Sequence, residues 1–125
     1  MNPLAAKDVQ VAANLPNELY VMNADGGLQT QLTRNALDEW TPAWSHNGQR
    51  IVFSSGGNSN QQIYVMNIDG SGQTRLTNDA FNDWAPAWSP DDNKIVFASD
   101  RDGKSQLYVM NADGSGLKRL DQYPK

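Results

Sequence analysis

Cysteine is absent from the 125 residues, and histidine occurs once, at position 46. Without thiols there is no disulfide, no thiolate nucleophile and no Cys-based metal site, and the redox compartment stays open. With His46 as the sole imidazole and no Gly-x-Ser-x-Gly turn, a hydrolytic triad or a multi-histidine metal centre lacks parts. Long apolar runs are missing too. No stretch approaches the ~20 apolar residues of a membrane span, and the opening MNPLAAKDVQVAANLP lacks the basic start and apolar core of a secretory leader. The chain is expected to be soluble, with a leader removed ahead of Met1 left as an open alternative. Positive charge is thin: ten Lys and Arg, scattered singly, face fourteen Asp and Glu for a net charge of −4. A nucleic-acid partner, which needs a basic stripe along its phosphates, is therefore not expected.

What the chain has in abundance is repetition. Leu19-Tyr20-Val21-Met22-Asn23-Ala24-Asp25-Gly26 returns at Ile63–Gly70 and again at Leu107–Gly114, with offsets 63 − 19 = 44 and 107 − 63 = 44. Trp40-Thr41-Pro42-Ala43-Trp44-Ser45 returns as Trp84-Ala85-Pro86-Ala87-Trp88-Ser89, and Ile51-Val52-Phe53 as Ile95-Val96-Phe97, both at the same offset of 44. A period of ~40–50 residues belongs to four-stranded propeller blades or to helical arrays, and local pattern decides between them. Each unit holds four short runs rich in Val, Ile, Tyr, Phe, Trp and Thr, separated by Asp-Gly, Asn-Gly, Ser-Gly or Pro. None is long enough for an amphipathic helix, so the runs read as strands. In the complete middle unit they fall near 42–45, 50–54, 62–67 and 73–77, named A (innermost) to D (outermost). Asp-Gly at 25–26, 69–70 and 113–114 marks a C–D hairpin, because Gly tolerates the positive φ of a tight turn. Along strand C, Tyr64 and Met66 face one side and Ile63, Val65 and Asn67 the other, which suits a sheet packed on both faces.

The order Pro-Ala-Trp-Ser-Pro-Asp-Asp-Asn-Lys-Ile-Val-Phe-Ala-Ser-Asp-Arg-Asp-Gly at 86–103, followed by Leu-Tyr-Val-Met-Asn-Ala-Asp-Gly-Ser-Gly and Arg119-Leu120, resembles the blade repeat of TolB-like β-propellers. The likeness covers about residues 19–122. It departs in two turns, where Asp92-Asn93 replaces the usual Gly-Lys and His46-Asn47-Gly48 replaces Pro-Asp-Gly. The resemblance implies an all-β fold, a ring of six blades, residence in the periplasm of Gram-negative bacteria and contact with peptidoglycan-associated lipoprotein. It also implies a non-catalytic interaction scaffold rather than an enzyme. Similar propellers gate peptidases or belong to polysaccharide lyases, but a lyase would need clustered histidines and a gating domain would need a catalytic partner domain.

The chain divides into an incomplete first blade (1–34), a second (35–78) and a third (79–122). The readable strands are C and D in 19–33, A to D in 41–77 and A to D in 85–120, with 9–13 as a candidate first strand B and 1–8 a poor copy of strand A. Closed propellers have typically four to eight blades. A partial fan leaves apolar faces open at both ends, so the expected partner is the chain itself, most simply as a dimer closing a six-bladed ring. Another protein is a second candidate partner. The alternative is a piece of a longer or engineered propeller with no natural ligand.

Candidate site residues cluster in the D–A connections. Asp38, Glu39 and Trp40, and likewise Asp79, Asp83 and Trp84, would lie around the channel mouth, offering carboxylates beside an aromatic to a cation, a sugar or a peptide. Trp44 and Trp88, within strand A, read as core. No catalytic residue is assigned, His46 included. Asp25, Gly26, Asp69, Gly70, Asp113 and Gly114 read as structural turns, since a calcium loop would need alternating oxygen ligands and a closing Glu. No cofactor is expected, and calcium at Asp100 and Asp102 is the weak candidate.

Overall fold

A computed structural model of the chain describes residues 9–11, 18–21, 30–32, 39–56 and 60–120. Among them the chain is all-β and forms three antiparallel sheets. The first contains β1 (Val9–Val11), β2 (Leu19–Val21) and β3 (Thr30–Gln31). The second runs in chain order through β4 (Glu39–Trp44), β5 (Arg50–Ser55), β6 (Gln62–Asn67) and β7 (Thr74–Arg75). The third repeats it with β8 (Asp83–Trp88), β9 (Lys94–Ser99), β10 (Gln106–Asn111) and β11 (Lys118–Arg119). β1 realises the candidate first strand B, pairing Val9 with Val21 and Val11 with Leu19. Residues 1–8, read as a poor strand A, lie outside the described residues.

The two-residue alternation of strand C decides what each sheet packs against. Met66 and Tyr64 join Leu19 and Leu32 of the first sheet and Trp44, Ile51 and Phe53 of their own in one core. Ile63 and Val65, on the opposite face, join Val52 and the third sheet's Trp88, Ile95, Phe97, Tyr108 and Met110 in the other. Each core is an inter-blade layer, and each fully buried aliphatic or aromatic side chain there contributes roughly 1.5–3 kcal/mol. Cross-strand Phe53 and Tyr64 stack at 5.7 Å between centroids, and the repeat-equivalent Phe97 and Tyr108 at 6.1 Å.

Strand A hides a device that spacing alone does not reveal. Trp40 and Trp44 are four residues apart, which in a regular strand puts them on one face. A bulge between Trp40 and Ala43 breaks the register: Trp40 pairs with Ser54 and Trp44 with Ile51. Cross-strand partners share a face, so the bulge turns Trp44 into the core with the first sheet and Trp40 toward the third. Thr41 carries the kink at φ 48, and Ala85 repeats it at φ 54 in β8. Both precede a proline whose missing N–H suits a broken ladder.

The blades are also stitched edge to edge. Trp88 Nε1 donates to the Ala43 carbonyl of the preceding blade at 3.1 Å. Asp92 accepts the His46 and Asn47 amides of the preceding A–B turn at 2.7 and 2.9 Å. In the C–D hairpins a Cβ on Gly70 would come within 2.9 Å of the Leu32 carbonyl oxygen, and one on Gly114 equally close to that of Leu76. Glycine there lets each hairpin lean on the outermost segment of the blade before it.

Candidate functional site

The D–A and B–C connections meet at one end of the fan. The loop at 78–82 is tied on one side to the second blade, where the Gln61 amide donates to Asn82 Oδ1 at 2.9 Å and Gln62 Nε2 to the Phe81 carbonyl at 2.8 Å. On its other side it is tied to the third blade's B–C loop: the Asn82 amide donates to Asp100 Oδ1 at 3.0 Å, and the Asp100 amide returns a bond to the Asn82 carbonyl at 3.2 Å. At this seam an open groove of about 330 Å³ is lined by Trp40, Thr41, Gln61, Asn82 and Trp84. Both tryptophans are half-buried. Two aromatics at equivalent repeat positions thus share one concave surface, with two amide side chains between them.

The carboxylates of the expected rim behave differently. Asp83 is fully buried, and Asp79 is half-buried. Arg101 reaches both, with Nη2 2.9 Å from Asp79 Oδ2 and 3.1 Å from Asp83 Oδ1. Its guanidinium lies 4.8 Å from the Tyr108 ring centroid and its Nε donates to Ser99 Oγ at 2.9 Å, so Arg101 is held as firmly as the acids it pairs. Burial, reinforced by the neighbouring Asp79 carboxyl, pushes Asp83 up to about 6, against the pull of Ser99 and Arg101. Burial also works against ionised Asp79, but hydrogen bonds from Asp83, the Phe81 amide and Gln62, with the charge of Arg101, hold it below the usual range. Asp79 and Asp83 are thus turned inward to lock the third blade to its entry loop. Asp38 lies outside the described residues, and of Glu39 only the backbone pairing with Ser55 is described.

Arg101, Gln62 and Ser99 were not singled out by sequence reading. The signal lay in comparing repeats: Asp79, Asp83 and Arg101 occupy the positions of Asn35, Glu39 and Gly57 one repeat earlier. The set changes together, as an ion-paired trio must.

The remaining candidates already have protein partners. Asp69 Oδ1 accepts the Ser71 amide at 2.9 Å and Asp113 Oδ1 the Ser115 amide at 3.0 Å, and the Ser71 and Ser115 side chains hold both carboxyls below their ordinary value. Asp25 and Gly26 lie outside the described residues. Asp100 caps the Asn82 amide, whereas Asp102 Oδ2 accepts from the Tyr108 hydroxyl and from Arg119 Nη1, each at 2.6 Å. The two carboxylates hold different protein donors rather than a common site. His46 is exposed in the A–B turn, at the other end of strand A from the groove. Among the described residues no group of three or more His, Asp and Glu side chains is placed to hold a metal ion.

Against known proteins, the family model for the TolB beta propeller domain matches residues 18–123. None of the curated proteins matches the chain. Among solved structures, a putative TolB from Agrobacterium tumefaciens superposes with a TM-score of 0.81 at 28% identity over 90% of this chain and 44% of that one. TolB from Acinetobacter baumannii gives 0.77 at 27% identity over 90% of this chain and 28% of that one. An oligogalacturonate lyase in complex with manganese gives 0.64 at 15% identity, over 83% of this chain and 30% of that one, a likeness of fold alone. The chain therefore spans less than half the length of these relatives.

Proposed function

The chain belongs to the TolB β-propeller domain family, and on that premise we propose that it is a non-catalytic scaffold that completes its ring by self-association and binds a protein at the Trp40–Trp84 groove. The observation that carries this reading is the groove itself. Two half-buried tryptophans, delivered to one surface by the strand-A bulge and flanked by Gln61 and Asn82, have the make-up of an interface hot spot: aromatic anchors with amide groups to fix orientation. With Asp79 and Asp83 committed to Arg101, recognition there rests on ring faces and neutral amides rather than on charge.

The family resemblance supplies the setting and the first partner to test. That is the Gram-negative periplasm and peptidoglycan-associated lipoprotein. Calorimetric titration with the soluble domain of that lipoprotein tests the reading. Trp40→Ala and Trp84→Ala are each expected to weaken binding tenfold or more, about 1.4 kcal/mol, with the circular dichroism spectrum unchanged. Equal affinity in wild type and both variants would move the interface elsewhere. No binding by the wild type would reject this partner.

A further inference from the structure

A second groove lies at the opposite end of the fan from Trp40 and Trp84, where the A–B and C–D turns meet, and from it we infer a binding site for a small zwitterion carrying a carboxylate and an ammonium group. The groove is open, about 480 Å³ in volume, and follows the seam between the second and third blades. Arg50 and Leu76 of the second blade line one side, and Asn111, Ala112 and Asp113 of the third line the other. Both sides are held in place. The Ala112 amide donates to the Asn93 carbonyl at 2.9 Å, and Gly114, next in the hairpin, stands so near the second blade that a Cβ on it would meet the Leu76 carbonyl oxygen at 2.9 Å. Leu76 and Ala112 pack against the inter-blade core, so the stretch between the polar groups is apolar.

Arg50 is the carboxylate-binding half. Strand alternation puts it on the same face of β5 as Val52, toward the core shared with the third blade. Its guanidinium carbon lies 5.6 Å from the ring centroid of Trp88, itself fixed by the bond from Nε1 to the Ala43 carbonyl. The Arg50 backbone amide donates to Ser45 Oγ at 3.0 Å, but among the described residues nothing accepts from its guanidinium, and the ion pairs there belong to Arg101 and Arg119. The repeat supplies a contrast. Lys94, the counterpart 44 residues on, donates to its cross-strand neighbour Asn111, reaching Oδ1 at 2.6 Å. Arg50 has the equivalent neighbour in Asn67 and lies over Trp88 instead. An arginine held on a ring face presents a planar fork of N–H donors in one orientation, and that fork matches a carboxylate.

Asp113 makes the groove more than an anion site. Its Oδ1 accepts from the amide and hydroxyl of Ser115, whereas Oδ2 has no donor among the described residues. Those Ser115 bonds hold the carboxyl below its ordinary value, so it is ionised at neutral pH. Asp113 and Arg50 line one groove without pairing with each other. A phosphate dianion on Arg50 would share that groove with a second negative charge. A carboxylate joined through a short apolar stretch to an ammonium group satisfies both ends and covers Leu76 and Ala112 between them. Free amino acids and short peptides with both termini free have this make-up. Both walls belong to one chain, so the site requires neither self-association nor the Trp40–Trp84 groove.

NMR titration of the isotope-labelled chain with diglycine, triglycine and tetraglycine tests this, read at the Arg50 Nε–H and Trp88 indole N–H signals, and at Trp88 alone in the Arg50 variants. At least one of these peptides is expected to shift both signals saturably. Converting its C-terminus to the amide should weaken binding by about tenfold or more, and so should Arg50→Lys, which keeps the charge but loses the fork. Arg50→Gln should abolish binding. Acetylating the peptide's N-terminus should cost about threefold in wild type, as for an exposed ion pair, and nothing in Asp113→Asn. Inorganic phosphate should bind more weakly than the free peptide. Lys104→Gln, which removes an exposed charge in the B–C loop at the other end of the third blade, should leave the titration unchanged. If no glycine peptide moves the Arg50 signal, or the amide binds as tightly as the free acid, the site is overturned. If the acetylated peptide or phosphate binds wild type as tightly as the free peptide, Arg50 is a general anion site and the zwitterion assignment falls.

Discussion

Asp92 sits at φ 63, a left-handed conformation for which glycine is the usual residue and Gly48, at φ 73, is the counterpart one repeat earlier. A side chain there costs on the order of 1 kcal/mol of backbone strain, and two hydrogen bonds to the His46 and Asn47 amides offset it. The two turn departures visible in the sequence, Asp92 for Gly and His46 for Pro, are thus the two halves of one contact. Sequence alone could mark them as departures but not join them, because the joint crosses 46 residues. Asp83 is a similar case: its type and position were legible, its burial and its pairing with Arg101 were not. Its folded pKa of about 6 lies above the 3.8 of an ordinary aspartate. The fold is therefore favoured by its protonated form, and that contribution is present below pH ~4 and lost as pH rises through 6. Asp79 is shifted the other way, and its contribution is lost only as pH falls below 3.8. Each pKa unit is worth about 1.4 kcal/mol, so wild type is expected to lose about 2 kcal/mol between pH 4.5 and 7.5. Urea titrations across that range check this. Asp83→Asn should flatten the profile, and an equally steep profile in the variant would place the titrating group elsewhere.

At the level of elements, the repeat made strands B and C readable almost to the residue: 50–54 and 62–67 were expected, and Arg50–Ser55 and Gln62–Asn67 are observed. Strand A begins at Glu39 rather than near 42, because the bulge at Thr41 lets pairing resume with Ser54 and Ser55. A bulge has no signature in apolar alternation, and only the proline after each kink hinted at it. Strand D is shorter than read, Thr74–Arg75, although the Leu76 amide still donates to the Ile63 carbonyl at 2.8 Å. The Asp-Gly hairpins gave their turns plainly, but not the reason glycine is needed twice over. Gly103 and Gly114 have nearly the same φ, +88 and +90, yet a Cβ on Gly103 meets nothing within 4 Å whereas one on Gly114 meets the Leu76 carbonyl oxygen at 2.9 Å. Gly103→Ala should therefore cost only the strain of positive φ, roughly 1–2 kcal/mol. Gly114→Ala should cost more, because backbone must also move. Thermal unfolding of the pair decides it, and equal losses would mean that the hairpin does not depend on this inter-blade approach.

For the whole molecule, each described blade packs only on its sequence neighbours, as in other repeat arrays whose stability is a sum of units and junctions. Two junctions are visible within the chain, and the proposed assembly adds two more per dimer between first and third blades. Stability then becomes a property of concentration as well as of sequence, because unfolding a dimer releases two chains. A tenfold rise in protein concentration should stabilise wild type by about 1.4 kcal/mol of dimer, raising Tm by a few degrees. Leu107 of β10 is 54% exposed and belongs to neither internal core, so Leu107→Asp should show no such dependence if that face meets a second copy. Scanning calorimetry over a hundredfold concentration range separates the cases. A wild-type Tm that does not move would mean that the internal junctions alone hold the fan together. In that event the exposed Leu107 face would await a blade from elsewhere, and the Trp40–Trp84 groove would have to act without a closed ring around it.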